Sequence, residues 1–317
     1  MFNKFRTTFA HNTLSVDMQE QNACGAELLA FTPGEQGGLM RACAVEAYPG
    51  VIMDRSMFLT REYFADIFGA FARMPRTYDL VWHPRGKLVE EPAGMKPYEG
   101  LGKNPGPGYN QLKNVRAVSG SAARRMVFEN ASRRYSLIMP EGAEDTDFVA
   151  GGAEISSSRG TETSVMLRRR AADSVFGGVF ALTGKVKSVR QTGSLKDGYG
   201  ELEIRFTDGG VDRCAAGFNG EFLQKFVSVD GKGALKAIAL SGCRKYAADG
   251  YEIGLESPGG AFAERTATGS WLVKNCSSTP NRITLSLKSM KKTFSLAPGA
   301  REEWLVNGAK PIAEHRR

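Results

Sequence analysis

The chain has 317 residues, 42% hydrophobic and 24% charged, an ordinary globular composition with enough apolar material for a sizeable core. Its 18 Phe, 9 Tyr and 3 Trp are spread along the length, which excludes disorder as a whole-chain description. No run approaches the roughly 20 apolar residues of a membrane-spanning helix. Lys and Arg total 42 against 34 acidic residues, a net charge of +8, which suits a polyanionic partner: nucleic acid, an anionic membrane surface or an acidic polysaccharide.

From the N-terminus, residues 1–6 lack the apolar stretch of a secretory signal. Short runs of alternating apolar and polar residues, with turn signals roughly every 8 to 15 residues, then predict strands at 13–16, 40–45, 51–53, 56–60, 63–68 and 77–82. Residues 87–111 are rich in proline and glycine and are expected to cross the surface as a long loop. Strands follow at 124–129 and 135–139, then a second expected loop at 141–160, rich in Gly, Ser and acidic residues. Further strands are predicted at 164–168, 174–180 and 200–206. Helical periodicity is weak; the best candidates, 62–71 and 220–226, are too short to outweigh the strand pattern.

The expected fold is all-β: a large antiparallel β-sandwich, supersandwich-like, over residues 1–245, with a smaller C-terminal β-sheet unit over 246–317. The boundary is placed where the pattern shifts near residue 245.

Several chemistries are excluded by motif. The five cysteines (Cys24, Cys43, Cys214, Cys243, Cys276) are odd in number and form no CxxC, against a disulfide framework or zinc knuckle. The glycine-rich stretch 100–106 lacks the Lys-Ser/Thr and the strand-loop-helix setting of a phosphate loop. No GxSxG is present. The basic residues Arg124, Arg125, Arg133, Arg134, Lys288, Lys291 and Lys292 are too sparse, and too little interleaved with aromatics, for a nucleic-acid surface. Only three histidines occur, His11, His83 and His315; His315 lies in a basic tail, leaving His11 and His83 for imidazole chemistry.

The segment Phe9-Ala10-His11-Asn12-Thr13, following an Arg/Thr-rich turn and opening a strand, resembles the Ala-His-Asn-Thr signature of the heparinase II/III-like polysaccharide lyases. The resemblance continues in order through Tyr48-Pro49-Gly50-Val51 with Asp54-Arg55-Ser56, Tyr63-Phe64-Ala65-Asp66-Ile67-Phe68, and Thr77-Tyr78-Asp79-Leu80-Val81-Trp82-His83. It ends with Val165-Met166-Leu167-Arg168 and Ser174-Val175-Phe176. Each piece alone is a weak signal; their order over residues 5–180 gives the resemblance its specificity, and residues 190–317 add little.

Members of that family join an N-terminal α/α toroid to a C-terminal β-sandwich and cleave uronate-containing glycans by β-elimination. The reaction needs the carboxylate neutralised, a base for the C5 proton and an acid for the leaving oxygen. Most of those groups sit on the toroid. Here the signature begins at residue 5, so the resemblance implies the sandwich half of such a lyase, acting on an acidic polysaccharide such as a glycosaminoglycan or alginate and incomplete without the toroid. It also implies a periplasmic or secreted location. The rival class is a non-catalytic carbohydrate-binding or structural module.

The resemblance assigns roles residue by residue. His11 and Tyr48 stand as catalytic candidates; Asn12, Arg55, Arg76 and Arg85 stand as contacts to an anionic sugar chain, where Arg can pair bidentately. His11 and His83 resemble two metal-ligand histidines, implying zinc; two hydrogen-bonded, half-buried imidazoles are the other reading. The family's acidic ligand aligns with Ala44; Glu46 or Cys43 could substitute, although alternation puts Cys43 and Ala44 on opposite faces. The family's assisting histidine aligns with Phe9, which exchanges no proton. Tyr48 has a second reading as a buried tyrosine with a satisfied hydroxyl, and Arg168-Arg169-Arg170 is expected to be solvated strand-end charge.

Overall fold

A computed structural model describes residues 6–103, 105–142, 146–156 and 160–306; His315 lies outside them. It is built from antiparallel strands and a few short 3-10 turns, in two sheets of 12 and 10 strands. Among the described residues no helix is long and apolar enough to cross a membrane.

The first sheet runs in the order Glu27–Pro33, Gly37–Tyr48, Val51–Thr60, Tyr63–Trp82, Gly160–Ala181, Arg133–Met139, Arg124–Asn130, Lys87–Glu90. Its spine is the pair Tyr63–Trp82 and Gly160–Ala181, of 20 and 22 residues. Each spine strand changes neighbour along its length. Tyr63–Trp82 pairs with Val51–Thr60 through residues 64–72 and with Leu14–Val16 through 78–80. Gly160–Ala181 pairs with Asp147–Ser156 through 160–168 and with Arg133–Met139 through 179–181. The sheet therefore forks and curls on itself, enclosing a core around Leu14, Phe68, Leu80, Trp82, Phe128 and Phe176.

These spine strands were each expected as two short ones. Pro75 punctuates the first, but it falls where the ladder skips: the register jumps from Ala171↔Arg76 to Asp173↔Phe71. A proline without an N–H is tolerated at such an unpaired point, so the strand continues through it. The stretch expected as a loop at 141–160 is instead mostly strand, because Asp147–Ser156 finds partners on both sides, Gly160–Ala181 and Lys113–Val118. Among the described residues, 87–111 do contain only short elements, Lys87–Glu90, Lys96–Pro97 and the turn Tyr109–Gln111.

The second sheet runs Val186–Gln191, Tyr199–Phe206, Val211–Gly217, Gln224–Val229, Leu235–Ala248, Tyr251–Arg265, Trp271–Asn275, Arg301–Trp304, with Asn281–Leu287 and Met290–Leu296 forming a second arm on Tyr251–Arg265. The chain passes from one sheet to the other at residues 182–185. The boundary expected near residue 245 falls inside Leu235–Ala248, which stays paired to Tyr251–Arg265 across it. The shift in pattern there marks an exposed hairpin tip, where Asp249 and Gly250 both take positive φ (54° and 81°), and not a change of sheet.

A shared core joins the sheets. Leu39, Phe58, Ile67 and Val179 of the first meet Leu202, Ile204, Phe226 and Phe262 of the second. Polar contacts tie the same boundary: the buried Glu264 carboxylate accepts the backbone N–H groups of Glu35 (2.6 Å) and Gln36 (3.1 Å), and Arg41 donates to the Leu223 carbonyl at 2.6 Å.

Candidate functional site

The residues singled out by sequence fall into two groups. The first forms where the N-terminal segment crosses the end of Tyr63–Trp82. Asn12 links three separate stretches: its side-chain oxygen accepts the His83 N–H at 2.7 Å, and its carbonyl accepts from Arg55 at 2.7 Å. Arg55 also holds Asp66 bidentately (2.9 and 2.7 Å), and Trp82 Nε1 donates to the same carboxylate at 3.1 Å. Asp66 is fully buried, and three donors satisfy a charge that would otherwise be costly there. Burial would lower the Arg55 pKa, but Asp66 outweighs it and raises it.

Trp82 reaches Asp66 because Gly178 lies beneath it; a Cβ on Gly178 would come within 2.8 Å of the indole. The N-terminal segment is clamped from the other side. Phe9 packs on Tyr109 with ring centroids 4.3 Å apart, and Gly108, at φ 84°, passes so close that a Cβ would meet Phe9 at 2.7 Å. Phe9 is thus a buried anchor at 4% exposure, while His11 beyond it is exposed.

His83 is committed on both ring nitrogens. Nε2 lies 2.7 Å from the Phe9 carbonyl oxygen; because that oxygen can only accept, Nε2 carries the proton. Nδ1 is then the acceptor for the Ser164 hydroxyl at 3.2 Å. Glu46 is exposed, and its carbonyl accepts from Asn22 at 3.2 Å. Among the described residues no three His, Cys, Asp or Glu side chains converge as a metal-binding group. As placed, His11, His83 and Glu46 do not fit zinc, and the half-buried, hydrogen-bonded reading of His83 describes its geometry.

The second group lies with the segment that follows Leu14–Val16. Tyr48 is 4% exposed and donates to the Gln19 carbonyl at 2.9 Å. Burial pushes its pKa up, so it is a buried tyrosine with a satisfied hydroxyl and is poorly suited to shuttle protons near neutral pH. Arg76 pairs with Asp17 at 3.0 Å. Arg85 is exposed and stands apart, its carbonyl accepting from Tyr135. Of the expected sugar contacts, Arg55 has its fork filled by Asp66, Arg76 is half engaged, and Arg85 is open to solvent.

Sequence reasoning missed how deeply charge is built into the first sheet. Arg168, expected at a solvated strand end, is 9% exposed. It holds Asp79 bidentately (2.7 and 2.6 Å), while Tyr109 donates to the same carboxylate at 2.7 Å. Arg41 and Asp54 form a third such pair (2.8 and 2.6 Å). Of the arginine run only Arg170 is exposed; Arg169 lies over Phe176, 4.7 Å from the ring centroid. A signal was present, since Asp54, Asp66 and Asp79 all sit within otherwise apolar strand patterns, where an isolated carboxylate needs a partner.

No family model and no curated protein matches the sequence. Among solved structures, the chain is similar to heparan sulfate lyase HepC from Pedobacter heparinus (15% identity, TM-score 0.39, covering 72% of this chain and 31% of that one). It is similar to heparinase III (12% identity, TM-score 0.47, 67% and 30%) and to a chondroitinase AC lyase (9% identity, TM-score 0.45, 87% and 39%). The chain spans 30 to 39% of the length of these proteins.

Proposed function

We infer that this chain is the β-sandwich part of a polysaccharide lyase acting by β-elimination on an acidic, uronate-bearing glycan, and that it is inactive without a helical partner. The observation that carries this reading is the Asn12 network. Four stretches that carry the sequence resemblance, around Asn12, Arg55, Asp66 and Trp82-His83, come together through hydrogen bonds of 2.7 to 3.1 Å. They fix the backbone on which exposed His11 stands. On this reading His11 faces the glycan and donates to its carboxylate, while Asn12, His83 and Arg55 position it. The missing acid and base belong to the partner, because Phe9 and the buried Tyr48 offer neither.

Phe9 also favours the second reading, a non-catalytic carbohydrate-binding module. The two are separated by incubating the chain with heparan sulfate, hyaluronan and alginate while following ultraviolet absorbance of the unsaturated uronate product. Product formed only after a helical toroid chain is added supports the split lyase. Retention on an immobilised acidic glycan with no product under either condition supports the binding module, and neither retention nor product overturns both.

A further inference from the structure

The surface stretch that carries Tyr98, Gly100 and Tyr109 is fastened to the first sheet more firmly than a connection needs. Tyr98 donates to Asp147 at 3.1 Å, the Gly100 carbonyl accepts from Arg168 at 2.9 Å, and Tyr109 donates to Asp79 at 2.7 Å. Asp147 and Asp79 stand directly across from Arg168 on its two neighbouring strands, so these bonds converge on one row of the sheet. Beside them Leu101 and Tyr109 close a small apolar core with Phe9, Val81, Val149 and Met166.

Arg168 ties two parts of this stretch at once. Nε and Nη2 take the two oxygens of Asp79, one of which Tyr109 shares, and Nη1 takes the Gly100 carbonyl. A lysine carries the same charge without the planar fork and cannot make these contacts together. Burial, joined by the Asp79 charge, pushes the Tyr109 hydroxyl well up, so it remains a donor.

What this fastening holds is Phe9, whose ring lies against Tyr109 and close to Gly108. The Phe9 carbonyl oxygen receives His83 Nε2 at 2.7 Å, and the two rings meet edge to face with centroids 5.8 Å apart. His83 in turn gives its backbone N–H to Asn12, next to His11. A continuous path of contacts thus runs from Arg168 through Asp79, Tyr109, Phe9 and His83 to Asn12.

We propose that Arg168 is a positioning residue of the candidate site: through Asp79 and Tyr109 it seats Phe9, and so sets the orientation of His83 and of the segment carrying His11. That His11 is a group worth positioning rests on the functional reading above; the seating of His83 does not. The test is nitrogen-15 NMR of the histidine rings in the full chain, repeated on Arg168→Lys, Gly108→Ala and Arg41→Lys. Arg41 is the matched control, because it makes the same bidentate pair with Asp54 and one carbonyl contact, to Leu223 of the second sheet.

The wild-type His83 ring is expected to show one tautomer, protonated on Nε2. Arg168→Lys should lose that single signature, with ring-proton exchange faster by about tenfold, the worth of one hydrogen bond, and should sharpen the His11 resonances. Gly108→Ala, which presses on Phe9 and removes no group from the ion pair, should do the same. Arg41→Lys should lose comparable stability toward urea and leave both histidines unchanged. An unchanged His83 in both Arg168→Lys and Gly108→Ala, or an equal change in Arg41→Lys, means that the pair only holds the sheet together and overturns the proposal. A wild-type His83 that already samples both tautomers overturns it as well. Retention of the same proteins on immobilised heparan sulfate, measured in parallel, reports on the functional reading separately: a wild type that is not retained sinks that reading and does not touch the histidine result.

Discussion

The buried carboxylates of the two sheets are satisfied to different degrees. In the first, Arg41–Asp54, Arg55–Asp66–Trp82 and Arg168–Asp79–Tyr109 are closed networks in which both oxygens of each carboxylate meet donors. In the second, the buried Glu264 is closed in the same way by the amides of Glu35 and Gln36, whereas Asp212 accepts from Tyr63 on one oxygen and keeps the other buried without a hydrogen bond among the described residues. Closed networks fix strand register and chain crossings and leave nothing over for a ligand. The half-closed one leaves a buried acceptor unsatisfied, a local cost to the fold. A buried carboxylate is thus a structural device where its partners come in full and a local cost where they do not.

That contrast can be broken by mutation. The largest effect is expected for Asp79→Ala, which strands the buried Arg168 guanidinium and the Tyr109 hydroxyl; urea unfolding should show a loss of about 3–5 kcal/mol. The double variant Asp79→Ala/Arg168→Met should regain much of it, and a loss as large as that of the single variant would argue against a closed network. Next comes Asp212, with the sign reversed. Its pKa is raised in the folded state from 3.8 to about 6, so the folded chain holds the proton more tightly than the unfolded one. This contribution is present below about pH 3.8 and is lost as pH rises through about 6, up to about 3 kcal/mol. Stability measured from pH 4 to 7 should fall by that component in the wild type and not in Asp212→Asn.

Asn12→Ala removes the acceptor of the His83 N–H at the protein surface and should cost about 1 kcal/mol. It should also free His11, read as a sharper, more mobile imidazole resonance in NMR, whereas Thr13→Ala should leave that signal unchanged. Smallest is Arg76→Ala: its pair with Asp17 is more than a third exposed on both sides, and the expected change in urea midpoint corresponds to under about 1 kcal/mol, vanishing in high salt.

Much of this architecture was legible in sequence because alternation reports which face of a strand is buried, as in Tyr199–Phe206 with its regular inward residues Leu202, Ile204 and Phe206. Strand length was not, because Pro75 reads as a stop unless the skipped register beneath it is known. The sheet boundary was misplaced because a hairpin tip and a change of sheet leave the same exposed, glycine-containing trace. The network at Asn12 was partly legible, since His11, Asn12, Arg55 and His83 were all singled out. The roles of Arg55 and Tyr48 were not, because each depends on a partner, Asp66 or the Gln19 carbonyl, that only tertiary packing supplies. Asp212 sits at an inward position of Val211–Gly217, a readable anomaly, yet its meaning rests on Tyr63, 149 residues away.

The spine formed by Tyr63–Trp82 and Gly160–Ala181 sets an order of disassembly. Its central amides are hydrogen-bonded within a ribbon flanked by further strands, so releasing them requires several ladders to open together. The outermost ribbons, Glu27–Pro33 in one sheet and Arg301–Trp304 in the other, each have one neighbour among the described residues. Deuterium should therefore enter those margins early, while residues near 64–70 and 174–180 exchange only through whole-molecule opening, so that the support beneath Trp82 and Tyr63 outlasts the fringes on warming.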